Sequence, residues 1–145
     1  ADGTGDLIAT DHAPHQLKDK EQPYTKAPSG LPGVQLMMPL LLHMVNEGQL
    51  TLEKVVELTA FHPAQKFGIE GKGAIEAGLD ADFMIVDLEK VERVCHKFLW
   101  SKANWSPFHN WHLKGWPVMT FVGGELRYEW RDMFHEGKGR ELTFL

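Results

Sequence analysis

A single short apolar run with β-branched character, Leu7-Ile8-Ala9-Thr10, follows Gly5 and ends at a polar cluster beginning with Asp11. It reads as a buried strand carrying functional groups at its carboxyl end. No second strand-like run appears before Phe83, so this strand has no parallel neighbour within the chain.

The next segments are loop and helix rather than strand. From Gln16 to Gly33 the chain is polar and punctuated by Pro23, Pro28, Gly30, Pro32 and Gly33, which predicts a long loop. Its length and Gly/Pro content suit a lid that closes over a substrate. Val34 to Asn46 is apolar nearly all the way round, as expected of a buried helix, with Pro39 absorbed near its first turn and Gly48 ending it. Thr51 then caps a second helix with Glu53 in its first turn, and Leu52, Val55, Val56 and Leu58 form its apolar face. His62-Pro63 is expected to break that helix and start a short third one through Phe67, stopped by Gly68.

After Gly68 the character changes. Phe83 to Val86 is strand-like, and Val118–Val122 and Glu125–Glu129 flank Gly123-Gly124 as a β-hairpin. Trp100 to Trp116 is rich in aromatic residues and reads as a packed loop. A boundary near residue 70 divides helical material, 1–70, from a β-rich module, 71–145.

Composition narrows the function classes. The 145 residues are 43% hydrophobic and 24% charged, with a net charge of −5, which is an ordinary globular balance and argues against a nucleic-acid partner. One cysteine excludes an internal disulfide framework and any multi-cysteine zinc site. The longest apolar run, Leu36 to Leu42, is too short to span a bilayer and contains Pro39, so a cytoplasmic chain is expected. The start on Ala1 rather than methionine suggests a processed chain or a fragment.

The densest polar cluster is Asp11-His12-Ala13-Pro14-His15. In parallel α/β folds the active site sits at the carboxyl ends of strands. An aspartate there can ligate a metal and accept a proton, and a histidine four residues on can reach the same cavity. Spacing alone leaves open a surface aspartate with two solvated histidines, because D-H-x-x-H is no strong metal signature.

Thr10-Asp11-His12-Ala13-Pro14-His15 resembles the signature that closes the eighth barrel strand of dihydroorotases, which are cyclic amidohydrolases. Further segments match in order: Ala27-Pro28-Ser29-Gly30-Leu31-Pro32-Gly33, His62-Pro63-Ala64 with Phe67-Gly68, and Lys72-Gly73-Ala74-Ile75 with Asp80-Ala81-Asp82. The tail matches through Trp105-Ser106-Pro107-Phe108 and Gly115-Trp116-Pro117-Val118, although this tail resembles hydantoinases at least as much.

The resemblance implies an α/β fold: the last strand and helices of a (β/α)8 TIM-type barrel, then part of a small β-sandwich module. It implies a dihydroorotase-like enzyme of pyrimidine biosynthesis, which reversibly hydrolyses dihydroorotate to N-carbamoyl-aspartate. Hydantoinase, dihydropyrimidinase and allantoinase are the rivals within the class. Asp11 then matches the metal ligand and proton shuttle, which takes a proton from the attacking hydroxide and passes it to the leaving amide nitrogen. His15 matches the contact to the substrate carboxylate, and Ser29 and Gly30 match backbone positions that hold the ring. His12 reads as a supporting histidine. The implied cofactor is zinc in a binuclear site.

The chain departs from the family where the metals bind. It contains no His-x-His, and apart from His12 and His15 its histidines (His43, His62, His96, His109, His112, His135) all lie well beyond the aspartate. The other ligands are therefore expected outside these residues, either in a longer chain or on another polypeptide, with homo-oligomerisation a further expectation. Alone, such a chain could be catalytically inert. His43 reads as helix packing, His109 and His112 as surface or packing groups, and His62 as a poor replacement for an N-capping asparagine. Gly137-Lys138-Gly139-Arg140 lacks P-loop spacing and reads as a solvated turn. Met37, Met38 and Met44 read as core filling. Trp116 and Trp130 suit packing of the β-module or an oligomer interface, and Cys95 reads as structural.

Overall fold

The computed structural model describes residues 3–130 and 136–145, so His135 lies outside the described residues. The elements in chain order are α1 (Leu17–Lys20), α2 (Met37–Asn46), α3 (Leu52–Val56), α4 (His62–Lys66), β1 (Phe83–Arg93), β2 (His112–Val122) and β3 (Glu125–Glu129). A 3-10 turn, Val34–Leu36, leads into α2, and another, His96–Phe98, comes after β1. The strands form one antiparallel sheet in the order β1-β2-β3.

The first helices form for the reasons legible in their sequence. Pro39 lies in the first turn of α2, where a missing N–H costs nothing. Thr51 caps α3 by accepting a hydrogen bond from the Lys54 N–H at 3.1 Å.

The expected break at His62-Pro63 does not occur. A π turn, Glu57–Phe61, joins α3 to α4, and Phe61 and His62 both keep helical torsions. The wider turn suits a proline that has no N–H to give and whose ring crowds the carbonyl four residues back. Thr59 meanwhile donates its hydroxyl to the Val55 carbonyl at 2.7 Å. His62 is therefore no N-cap. It lies within the helical rod, and its Nδ1 meets the Asp6 carbonyl oxygen at 2.9 Å.

The sheet is longer than expected. β1 continues past Val86 to Arg93, through register shifts at Ile85/Val86 and between Asp87 and Val91. Such bulges spoil the alternation by which a strand is recognised. β2 starts at His112, so the end of the expected aromatic loop is strand. The hairpin at Gly123-Gly124 falls where expected, pairing Val122 with Glu125.

One core spans both halves of the chain. Leu36, Val94, Leu113 and Trp116 are buried together, with Leu40, Leu99, Phe108 and Trp130 packed against them. The helix α2 lies directly on β2 at Gly115, whose φ is +96°. A Cβ there would stand 2.7 Å from the Leu42 Cβ. Just beyond, the Asn46 amide donates to the Leu42, Leu88 and Lys114 carbonyls at 3.1, 3.1 and 3.3 Å. The helix end is thereby tied to both strands. His43 accepts the Lys114 N–H at 3.3 Å, a packing role as expected. Trp116 and Trp130 meet edge-on at 5.4 Å, and Lys90 lies over the Trp130 ring.

The opening run behaves differently. Residues 7–10 join no sheet and are half-buried to exposed rather than buried. They rest on the helical rod through the Ile8 N–H to the Leu58 carbonyl at 3.0 Å, the His62–Asp6 contact and a Lys66–Asp6 ion pair. Among the described residues no strand pairs with this run, so a helix carbonyl left free near the π turn takes the place of a ladder.

Candidate active site

The polypeptide turns sharply where the opening segment ends. Asp11 has φ +43°, a left-handed conformation that aspartate tolerates better than most residues but that still carries a cost. The carboxylate is exposed and has no hydrogen-bond or ion-pair partner among the described residues. A short acidic side chain held outward with nothing to satisfy it is available to an incoming ligand.

The predicted loop folds back onto this turn. The Ala13 N–H donates to the Leu31 carbonyl at 3.0 Å, and His12 pairs with Leu31 in a parallel bridge. The approach is close at Gly30, where φ is +87° and an added Cβ would lie 2.5 Å from the Ala13 Cβ. Only glycine fits there. Asp11, His15, Ser29 and Gly30 are thus carried on two segments held side by side. His12 accepts the Val34 N–H on Nδ1 at 3.3 Å, which assigns it a supporting place.

Two residues hold this arrangement whose part in it is not expected from the sequence. The Lys20 ammonium, from the single turn of α1, donates to the Pro28 carbonyl and to the Gly30 carbonyl at 3.0 Å, straddling Ser29. It pins the loop and brings a positive charge to it. Trp105 donates its indole N–H to the His15 carbonyl at 2.7 Å, across ninety positions of sequence.

The other titratable groups gather elsewhere. His96 and His109 stack at 3.8 Å, and burial, then His96 and Arg93, push the His109 pKa down. Lys72 is paired with Asp80 and Asp82, and Arg140 with Asp80. Arg140 is thus an ion-pair partner as well as part of an exposed terminal segment. The Asp80 pKa is pulled down to about 2, first by Arg140 and then by Lys72. This network ties the C-terminal segment to Lys72, Asp80 and Asp82, and the Glu70–Thr143 and Leu145–Gly68 backbone bonds tie it to residues 68–70. A shallow cavity lined by Ile75, Leu79, Ala81 and Phe83 lies at the start of β1 rather than at Asp11.

Zinc needs three or four protein donors. Among the described residues no three His, Cys, Asp or Glu side chains come together. Asp11 supplies one carboxylate, and the His12 Nδ1 is already engaged by Val34. This chain's donors do not by themselves fit a zinc centre.

Comparison with known proteins identifies the family. The chain is 41% identical over 137 residues to a dihydroorotase of Pyrococcus furiosus, covering 94% of this chain and 32% of that protein. It is 44% identical over 129 residues to a dihydroorotase of Geobacillus thermodenitrificans, covering 88% and 30%. The chain therefore spans about a third of the length of the curated relatives it matches. Among solved structures, an L-hydantoinase (dihydropyrimidinase) from Arthrobacter aurescens superposes with a TM-score of 0.82 at 36% identity, over 86% of this chain and 29% of that one. A D-hydantoinase (dihydropyrimidinase) from Thermus sp. gives 0.83 at 25% identity, over 90% and 30%. The model of the Amidohydrolase family matches residues 1–127, a span that runs through the Asp11 turn, its facing loop and the first two strands, and the chain belongs to that family.

Proposed function

We propose that this chain supplies the Asp11 side of the active site of a dihydroorotase-like cyclic amidohydrolase, which reversibly hydrolyses dihydroorotate to N-carbamoyl-aspartate in pyrimidine biosynthesis. The observation that carries the reading is the close apposition of the Asp11–His15 turn and the Ser29–Gly30 loop, with no room for a side chain at Gly30. In this reading Asp11 takes the proton from the attacking water and delivers it to the amide nitrogen that leaves. The His15 imidazole meets the substrate carboxylate, and Lys20 adds a positive charge beside the loop. The backbone of Ser29 and Gly30 lies against the ring.

Residues 1–70 are proposed as the end of the hydrolase barrel and 71–145 as part of the flanking β-sandwich module. Asp11 is proposed as one donor of a zinc centre completed by residues outside this chain, in a cytoplasmic enzyme that is a homo-oligomer or pairs with the remaining barrel portion. No helix among the described residues is long and apolar enough to cross a membrane.

The test is an assay of the full-length protein against dihydroorotate, hydantoin, dihydrouracil and allantoin. Turnover of dihydroorotate in preference to the other rings is the expected result. Turnover of another ring with failure on dihydroorotate assigns the site to the hydantoinase-type branch, which the structural superpositions also support.

A second reading rests on the lone Asp11 carboxylate: the 145 residues alone are an inert module. Elemental analysis of the isolated chain separates the two, with two metal ions per chain contradicting inertness and none supporting it.

A further inference from the structure

We infer that Trp105 is a positioning residue for His15, fixing the backbone from which that imidazole reaches the substrate; the inference rests on the proposed role of His15. Trp105 is only 8% exposed, and a buried indole N–H requires an acceptor. The acceptor it uses is the last carbonyl of the Asp11–His15 turn. The His15 N–H is already committed to the Ala13 carbonyl at 2.9 Å, and Pro14 between them has a fixed φ. With its N–H bound within the turn and its carbonyl bound by Trp105, the His15 backbone is held on both sides.

The support behind Trp105 is also built. Phe108 donates its N–H to the Ser106 hydroxyl at 3.1 Å, and Ser106 is buried. The Gln35 side chain donates to the Phe98 carbonyl and accepts the Trp100 N–H, both at 2.8 Å. The loop bearing Trp105 is thereby fastened to the start of the α2 segment and to the shared core. Trp105 thereby links this loop to the Asp11–His15 turn.

Trp105→Phe keeps the aromatic bulk and removes only the donor. In the full-length protein it is expected to raise the KM for dihydroorotate about fivefold to tenfold, as loss of a single hydrogen bond does, while kcat changes less than about twofold. In a His15→Ala background the same change is expected to have no further effect on KM, because Trp105 acts through His15. An unchanged KM in the otherwise unmutated protein overturns the inference, as does an equal rise with and without His15.

Nuclear magnetic resonance of the unmutated protein offers a check that does not depend on the variant folding. The Trp105 indole N–H signal is expected to shift on saturation with dihydroorotate, and a stationary signal overturns the inference. A folded full-length protein inert towards every cyclic amide defeats the functional reading itself, and this inference with it.

Discussion

The seam between α2 and β2 and the turn at Asp11 are held by opposite means. At the seam, Gly115 lets the helix backbone lie on the strand, Leu42 and Leu113 are fully buried, and Asn46 bonds to both strands. At the turn, Asp11 is exposed at an unfavourable φ, and the preceding segment joins no sheet. Single bonds from Leu31 and Trp105 hold residues 13–15. The seam is complete within the chain. The turn presents its groups outward, where the proposed site needs them. Stability and chemistry should therefore separate cleanly on substitution.

The largest expected effect lies at the turn and concerns activity alone. Asp11→Asn keeps a residue that tolerates positive φ and removes the carboxylate proposed to transfer the proton. In the full-length enzyme it should lower kcat by about 10²–10⁴-fold, the range for loss of a general acid–base group. Its stability should stay within about 0.5 kcal/mol of the parent, as for other exposed substitutions. Steady-state kinetics with a urea melt on the same preparation checks both, and a large loss of stability would break the contrast.

Next is the seam. Gly115→Ala forces a Cβ into Leu42 at a φ of +96°, and should cost about 2–4 kcal/mol in chemical denaturation. A loss within measurement error would show that α2 can lift from β2 without penalty, and would remove the shared core as the frame of the molecule.

The smallest effect falls on the ion network of the half-buried Lys72, Asp80 and Asp82 with Arg140. Asp80 is held at about 2, below the ordinary 3.8, so its contribution is fully present above the ordinary value and is lost as pH falls through about 2. Thermal melts between about pH 5 and pH 2 should show a decline that Asp80→Asn reduces and added salt blunts. Identical declines in the parent and the variant would remove this network from the account of the C-terminal segment.

The same division governs how much of the molecule is legible in its sequence. Thr51, Gly48 and the Gly123-Gly124 turn act locally, so the elements they bound are readable from the residues alone. β1 and β2 read as shorter than they are because the bulges near Val86 and Asp87, and Gly115 and Pro117, interrupt the pattern of a continuous strand. His62-Pro63 misleads because a π turn satisfies locally what a proline normally breaks. Of the residues proposed for the site, Asp11 and His15 stand out as a polar cluster whose role only the resemblance decides, and Ser29 and Gly30 are legible through the resemblance alone. Trp105 is legible as part of the matching tail, but its bond to His15, ninety positions away, leaves no periodic trace, and Lys20 gives no signal of its part in the loop.

The central claim is that the Ser29–Gly30 loop and the Asp11–His15 turn work as one site because they touch, and Gly30→Ala tests it directly. An added Cβ would stand 2.5 Å from the Ala13 Cβ and must push the loop away. Hydrolysis of dihydroorotate by the full-length protein should fall about 10²-fold, the scale of an ångström-sized misplacement, and Ala13→Gly should restore part of it. Full activity in Gly30→Ala, in a protein that is folded and loaded as the parent is, would contradict the account.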